Sequence, residues 1–311
     1  KKIDSLISTF DLLHPERSVE GLVKLYTAIN NLPDSYWKTQ KAGEVYQLIA
    51  QCSGLFLDVT TTEQFAVQTD SIRLNFSFNN RLGTEAVLQK VQVDNFDSAF
   101  LRTLEKNKNI NFSKTLFVPS TKPVTQPYWL VNKMAEGYFN VTDQLSIGQP
   151  DVDPAYAAFI QVKIFGERFT FMRTVRYKFT DPVKGELYQP LVVIPPVIIT
   201  PVEDMKIVTG DKINLKGSVT VRGMKKGFSG TMQAISDTSG KALKNVFIKN
   251  NTISINTKNQ LTEVDYTGEA EKKNEDIRFG ISSGEGNHIA DDRHEIRYDH
   301  IPFINYFHKA V

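Results

Sequence analysis

The sequence predicts a mainly β protein, in which a short N-terminal helical unit precedes two antiparallel immunoglobulin-like β-sandwich domains. Apolar residues recur at helical spacing through the first fifty or so positions. After Gly54 the apolar residues alternate with polar ones, which is the pattern of a half-buried strand. About seven short strand patterns, separated by turn residues, then follow in the last 110 or so residues, as is typical of a sandwich.

The composition is that of a globular protein without a strong electrostatic preference. The chain has 311 residues, of which 41% are apolar and 23% are charged, and its net charge is +2. This length is sufficient for two domains with their own cores. The small net charge predicts no affinity for nucleic acid, and no apolar run reaches the roughly 20 residues of a membrane span. No signal peptide pattern opens the chain, and its two abrupt ends suggest a piece of a longer protein.

Three amphipathic helices are predicted before Gly54. The first covers residues 3–13, and the second opens either at Pro15, where a missing N–H costs nothing, or after Ser18 as the N-cap. The third begins at Asp34 or Ser35, both of which are good N-caps, and Gly54 ends it. A helical segment of this size is small for independent stability, so we expect it to pack on something larger.

The first β domain is predicted over residues 55–197. Strict alternation marks a strand at 72–78, and the clearest hairpin joins residues 158–164 to a return strand at 169–179. Residues 94–127 are polar and interrupted by three prolines, which predicts a long excursion off the sheet.

The second β domain is predicted over residues 198–311. The apolar run 191–199 contains two prolines, which cannot donate to a ladder, so we interpret it as an edge strand that leads into a linker. Residues 213–221 alternate as a strand, and the last clear strand pattern is 294–301. Four shorter strands are predicted between these two, at 245–249, 252–256, 263–267 and 277–281.

No catalytic motif is present in the sequence. We find no GxSxG, no phosphate-binding glycine loop and no dinucleotide fingerprint, and no basic aromatic stripe for single-stranded nucleic acid. Cys52, the single cysteine, is predicted to be a buried apolar residue rather than a nucleophile. His14 opens a helix, where capping explains it better than metal binding. We therefore predict no catalytic residue, no metal ligand and no cofactor in this chain.

A few histidines and acids near the end of the chain leave one metal-site alternative open. His288, Asp291 and Asp292 could hold a cation, although a solvated loop is the simpler interpretation. His294 and His300 would share a strand face but stand about 20 Å apart, because a strand rises about 3.3 Å per residue.

Tyr128 and Trp129 are the candidate binding residues. Aromatic ring faces stack on the apolar faces of pyranose sugars, so adjacent Tyr and Trp side chains could form a glycan platform. The alternative is that this pair belongs to a core or a domain interface.

Four stretches of the sequence resemble those of a known family when they are taken together. The most specific are TDPVKGE at 180–186 and YDHIP at 298–302, and the others are HPERSVEGLVKLY at 14–26 and PYWL at 127–130. In this order they resemble the region downstream of the catalytic domain in large bacterial PIG-L (LmbE-like) deacetylases, and the resemblance covers nearly the whole chain.

The resemblance implies a parent enzyme with a separate zinc-dependent deacetylase domain, in which the metal activates water for attack on an N-acetyl group. That domain carries an A-H-P-D-D motif, and no such motif occurs here, since His14-Pro15-Glu16-Arg17 lacks both aspartates. It further implies that residues 1–54 dock the missing catalytic domain of the same polypeptide, and that the protein is exported to the periplasm or cell envelope.

Three hypotheses of function follow from the sequence. The first is an accessory region that positions a deacetylase domain or its glycan substrate. The second is a carbohydrate-binding or protein-interaction β-sandwich module without an enzymatic partner domain. The third is a self-contained metallohydrolase that uses the histidines between residues 288 and 300.

Overall fold

A computed structural model gives the fold of the chain. It describes residues 1–132, 134–149, 152–203, 212–236, 239–271, 277–289, 291–301 and 303–309. The chain divides into two compact units, each assembled from separate stretches of sequence. Unit 1 comprises Lys1–Thr62, Arg73–Leu116 and Tyr156–Tyr188. Unit 2 comprises Glu63–Ile72, Phe117–Ala155 and Gln189–Val311.

The described residues are mainly β, as the sequence predicts. The α-helices are α1 (Lys2–Thr9), α2 (Val19–Asn30) and α3 (Tyr36–Cys52). The strands as far as residue 117 are β1 (Leu55–Thr61), β2 (Phe65–Val67), β3 (Ser71–Asn80), β4 (Ala86–Val93), β5 (Phe96–Thr103) and β6 (Asn109–Phe117). The strands from residue 157 to 201 are β7 (Ala157–Ile164), β8 (Glu167–Thr174), β9 (Arg176–Asp181), β10 (Gly185–Pro190), β11 (Val192–Ile194) and β12 (Val197–Pro201). The remaining strands are β13 (Lys212–Gly223), β14 (Phe228–Ser236), β15 (Val246–Ile248), β16 (Thr252–Ile255), β17 (Leu261–Glu271), β18 (Ile277–Ser283), β19 (Gly286–Ile289), β20 (Asp291–Ile296) and β21 (Ile304–Lys309).

Unit 1 is a sandwich of two sheets. One sheet has the strand order β10-β9-β1-β3-β6, and the other has the order β5-β4-β7-β8. The apolar side of β3 is fully buried at Phe76 and Phe78. The Phe76 ring stacks on the ring of Phe112 in β6, with 4.6 Å between the ring centroids. It also contacts the ring of Phe96 in β5, a strand of the other sheet, at a centroid distance of 5.9 Å. Alternation in β3 therefore places its aromatic side chains in the core between the sheets.

The helical segment packs on the sandwich of unit 1, as its small size predicts. Tyr26 of α2 contacts the ring of Phe169 on β8 at 5.2 Å, and Tyr46 of α3 contacts Phe171 at 5.6 Å. The Tyr46 hydroxyl donates a hydrogen bond of 2.8 Å to the carbonyl of Thr170. The predicted cap is also present, because the Ser35 hydroxyl accepts a hydrogen bond from the N–H of Lys38 at 3.1 Å.

The predicted excursion off the sheet at residues 94–127 is wrong for half of its length. Residues Phe96–Thr103 and Asn109–Phe117 form β5 and β6. Each is the outermost strand of its sheet and pairs with one neighbour. Edge strands tolerate polar residues on their exposed faces, which explains why the sequence lacks a clear alternation there.

The predicted return strand at 169–179 is interrupted in the structure. It separates at Val175 into β8, which pairs with β7, and β9, which pairs in parallel with β1 through Thr60 and Arg176. Val175 itself is fully buried, and its N–H donates to the carbonyl of Tyr156.

Unit 2 is a second sandwich with two added strand pairs. Its sheets have the orders β12-β13-β17-β15 and β16-β14-β18-β19. Phe228, Val221 and Ile255 belong to the buried core, and Tyr266 of one sheet contacts Phe279 of the other at 4.8 Å. β2 and β11 form a parallel pair, and β20 and β21 form an antiparallel pair.

Two strand predictions in unit 2 need correction. The strand predicted at 294–301 ends at Ile296, so His294 and His300 do not share a strand. The edge strand predicted at 191–199 is two strands, because Pro195 and Pro196 fall between β11 and β12.

Candidate functional site

A cavity of about 1260 Å³ lies within unit 2. Its walls come from the stretch 122–155, from β18, β19 and the start of β20, and from β21. The described residues of 118–155 contain no strand and only two single-turn 3-10 helices, Tyr128–Leu130 and Gln144–Ser146. This stretch is therefore held by side-chain and backbone hydrogen bonds to other segments of unit 2 rather than by a ladder of its own.

Two adjacent side chains attach this loop to the strands. The Gln126 amide donates to the carbonyl of Phe307 at 2.9 Å and accepts from the N–H of Phe307 at 2.8 Å. The Thr125 hydroxyl accepts from the N–H of Val193 at 2.9 Å, and the Thr125 N–H donates to the Val193 carbonyl at 3.0 Å. Each residue thus forms hydrogen bonds to both the N–H and the C=O of one strand residue, which fixes the position at which the loop begins.

Of the two predicted binding residues, Tyr128 lines the cavity. Trp129 is not among the described residues that line it, but its ring contacts Tyr128 at 4.8 Å and at an angle of 88°. Both side chains are half-buried. Because the two rings are perpendicular, a single sugar can stack on only one of them. The Tyr128 hydroxyl also accepts from the N–H of Gly148 at 3.3 Å, which connects the two ends of the loop.

Among the described residues, the charged ones that line the cavity balance one another. Lys122 and Arg278 carry positive charge, and Asp153 and Asp291 carry negative charge. The guanidinium of Arg278 lies 2.9 Å from the carboxylate of Asp291, and the side chain of Arg278 is 15% exposed whereas that of Asp291 is 45% exposed. The balance favours an uncharged ligand over a strongly anionic or cationic one.

His288 forms a buried part of the cavity wall. It lies in β19, is 8% exposed and contacts the ring of Phe228 at 5.6 Å. Its Nε2 atom is covered and has no hydrogen-bond partner among the described residues. Burial lowers the pKa of His288 below its ordinary value; the carboxylate of Glu285 opposes this shift and the ammonium of Lys225 adds to it. At neutral pH the imidazole of His288 is therefore uncharged.

An ion pair between buried Lys225 and exposed Glu285 supports the turn that precedes β19. The ammonium of Lys225, which is 5% exposed, lies 2.8 Å from one oxygen of Glu285 and donates to the Thr69 carbonyl at 3.0 Å. The Thr69 hydroxyl donates to the other Glu285 oxygen at 2.8 Å. Burial raises the pKa of Glu285, but the bonds from Lys225 and Thr69 outweigh it and the pKa falls below its ordinary value.

The geometry offers no support for the metal-site alternative. Among the described residues, no group of three or more His, Cys, Asp or Glu side chains could hold an ion. The interpretation of His288 as part of a solvated loop is also wrong, because His288 is a buried strand residue. Asp291 is paired with Arg278, and Asp292 lies 3.4 Å from His294. Cys52 is buried, and burial raises the pKa of its thiol, so its character is that of a core residue.

Most of the cavity could not be found from the sequence. Its residues lie in segments far apart along the chain, such as Gln126 and Arg278. The one signal was the proximity of His288 to Asp291, together with an aromatic residue, Tyr128, in a long loop. No described helix is long and apolar enough to cross a membrane.

Comparison with known proteins yields similarities of structure only. No protein-family model matches the chain, and no curated protein sequence does. Among solved structures, red sea bream transglutaminase aligns with 83% of this chain at 11% identity and a TM-score of 0.36, and the aligned part is 34% of the transglutaminase chain.

Two further solved structures show weaker similarity. A protein of unknown function from Porphyromonas gingivalis W83 aligns over 76% of this chain and 97% of its own, at 10% identity and a TM-score of 0.20. The secreted serine protease VesC from Vibrio cholerae aligns over 80% of this chain and 52% of its own, at 9% identity and a TM-score of 0.22. At these identities and TM-scores the similarities carry no information about function.

Proposed function

We propose that this chain is a non-catalytic accessory region whose unit 2 binds an uncharged carbohydrate. The observation that carries the proposal is the cavity of about 1260 Å³, lined by Tyr128 and by polar side chains of balanced charge. Pockets for small molecules usually measure about 300–1,000 Å³, so this cavity suits a ligand of several linked rings.

The chemistry of the lining suits sugar rings. An oligosaccharide presents apolar ring faces and many hydroxyl groups. The ring of Tyr128 and the side chains of Leu130 and Ile289 offer apolar contact, while Asn287 and Asp291 offer polar groups. A long apolar ligand would cover these polar groups without supplying further hydrogen bonds in place of those that water makes, which is costly.

Calorimetric titration of the full chain with four uncharged hexasaccharides tests the proposal. The probes are cellohexaose, maltohexaose, laminarihexaose and β-1,4-mannohexaose. We expect at least one of them to bind, and we expect Tyr128→Ala to weaken its binding about tenfold, since loss of an aromatic contact costs on the order of 1 kcal/mol.

The matched control is Tyr298→Ala, because Tyr298 is an exposed tyrosine of unit 2 that does not line the cavity. It should leave the affinity unchanged. Absence of binding to all four probes at millimolar concentration, or equal losses from both substitutions, would contradict the proposal.

A second part of the proposed function concerns the helical segment of unit 1, residues 1–54. Several large apolar side chains of this segment are exposed, among them Ile7 at 72%, Leu13 at 83% and Trp37 at 66%. Several large exposed apolar residues in one segment favour an interaction surface. We assign this surface to docking of a further domain of the same polypeptide.

The resemblance to PIG-L (LmbE-like) proteins gives that domain its proposed identity, a zinc-dependent deacetylase that acts in the cell envelope. Zinc would belong to that domain, since this chain has no A-H-P-D-D motif. The test is the mass of the native protein in source cells, detected with an antibody to this chain and combined with peptide sequencing. A much larger product with A-H-P-D-D upstream would support the assignment, and a native product of about 35.2 kDa would refute it.

A further inference from the structure

Asp291 and Arg278 form a pair whose two members differ in exposure at the cavity wall. Arg278 lies on β18 and its side chain is 15% exposed, whereas Asp291 begins β20 and its side chain is 45% exposed. The bond between the Arg278 Nη2 and the Asp291 Oδ1 is 2.9 Å long. The guanidinium thus fixes the position of the carboxylate from the protein side, while a large part of the carboxylate faces the cavity.

A carboxylate held in this way selects ligands by the hydrogen-bond donors they bring. It accepts hydrogen bonds and donates none, and it has about four acceptor positions. Hydrogen bonds from hydroxyl groups to a carboxylate are shorter and stronger than those between neutral groups. A ligand with neighbouring hydroxyl groups satisfies it, whereas a ligand that presents its own carboxylates meets repulsion.

We infer that Asp291, positioned by Arg278, is the specificity-determining residue of the cavity: it accepts hydrogen bonds from ring hydroxyls and excludes acidic sugars. This inference rests on the proposed carbohydrate binding in unit 2. Arg278 is a positioning residue, since it acts through Asp291. The ligand class is an extended, uncharged oligosaccharide, in keeping with the volume of the cavity.

The experiment compares each of the four uncharged hexasaccharides with its counterpart oxidised to a carboxylate at C6. For the wild-type protein we expect the uncharged form to bind at least tenfold more tightly. Asp291→Asn keeps the shape of the side chain and removes its charge. It should weaken binding of the uncharged form about tenfold and reduce the discrimination against the acidic form to within about threefold.

Two variants separate recognition from general effects of charge and folding. Asp265→Asn makes the same change at an exposed carboxylate of unit 2 that does not line the cavity, and it should alter neither the affinity nor the discrimination more than about twofold. Arg278→Lys keeps the positive charge but loses the planar guanidinium, so it should reduce both the affinity and the discrimination in part. A loss of discrimination is not expected from a purely structural role, and thermal unfolding midpoints confirm that the variants are folded.

The outcomes distinguish this inference from the function on which it rests. If a hexasaccharide binds but Asp291→Asn leaves the discrimination unchanged, or Asp265→Asn removes it equally, the role of Asp291 is wrong and carbohydrate binding stands. If no hexasaccharide binds, both are wrong. Binding of spermidine in place of every hexasaccharide, lost in Asp291→Asn, would assign the cavity to cationic ligands and overturn the inference.

Discussion

Unit 1 and unit 2 are both two-sheet sandwiches, but they present different surfaces. In unit 1 the helical segment covers Phe169 and Phe171 and exposes apolar side chains such as Leu13 and Trp37. In unit 2 the described residues of 122–155 form part of a cavity that has both apolar and polar lining residues. The same architecture therefore carries exposed apolar side chains in one case and a cavity in the other, because the segments added to the sheets differ.

The largest expected effect is the loss of stability that follows a substitution in the core of either unit. Phe76 in unit 1 and Phe228 in unit 2 are each 1% exposed. Replacing either with alanine should destabilise its own unit by about 3–5 kcal/mol, the range for a buried aromatic residue. Phe228→Ala should also abolish hexasaccharide binding, whereas Phe76→Ala should preserve it.

Hydrogen exchange followed by mass spectrometry, combined with calorimetric titration, measures both consequences. In Phe76→Ala the exchange should accelerate in β3 and β6 and stay slow in β14 and β18. Equal acceleration in all four strands would show that the two units do not unfold independently.

A smaller effect is expected from the attachment of the loop. Gln126→Ala removes three hydrogen bonds, one to Leu130 and two to Phe307. At about 1 kcal/mol for each bond, the loop should lose about 2–3 kcal/mol of local stability and bind hexasaccharide more weakly. Exchange rates in residues 122–132 and the binding affinity measure this loss.

The matched control is Gln144→Ala, which lies in the same loop and removes one exposed bond to Val141. It should change the exchange rates of residues 122–132 little. If it has the same effect as Gln126→Ala, the attachment to Phe307 is not what holds the loop.

The smallest expected effect is the contribution of His288 to the pH dependence of the stability of unit 2. Because burial lowers the pKa of His288 below 6.5, the unfolded chain binds more protons than the folded chain between pH 6.5 and the folded pKa. The resulting contribution to the stability of unit 2 is complete above about pH 6.5 and is lost as the pH falls through this window. Glu285, whose pKa lies below 4.5, stays ionised at pH 5 and above.

Denaturant unfolding of wild type and His288→Gln at pH 7 and pH 5 measures this contribution. The stability of unit 2 should decrease less on acidification in His288→Gln than in wild type. His300→Gln, a change at an exposed histidine, should behave like wild type. A pH dependence that is unchanged in His288→Gln would show that His288 is not the group responsible.

The sequence predicts the strands that lie inside the sheets better than those at the edges. Strict alternation identified β3 and β7, whose inward side chains are fully buried, such as Phe76 and Ile160. β5 and β6 were missed because an edge strand has one neighbour and can expose polar residues. The break at Val175 was also missed, since a change of pairing partner leaves the alternation intact.

The candidate site was predictable only in fragments. Tyr128 could be selected from its residue type, and the structure places it at the cavity. The pairing of Arg278 with Asp291 depends on the approach of β18 to β20, for which the sequence carries no local signal. The perpendicular rings of Tyr128 and Trp129 lie in a 3-10 turn. This turn forms where the sequence has neither a helical nor a strand periodicity.

The attachment of Gln126 and Thr125 has a consequence for how this protein can change. Both residues bond to peptide groups of strands, and peptide groups are the same whatever side chains the strands carry. Residues 127–149 can therefore be exchanged as a cassette while these two anchors are kept. Libraries that vary only this cassette would be a direct route to new ligand preferences on an unaltered sandwich.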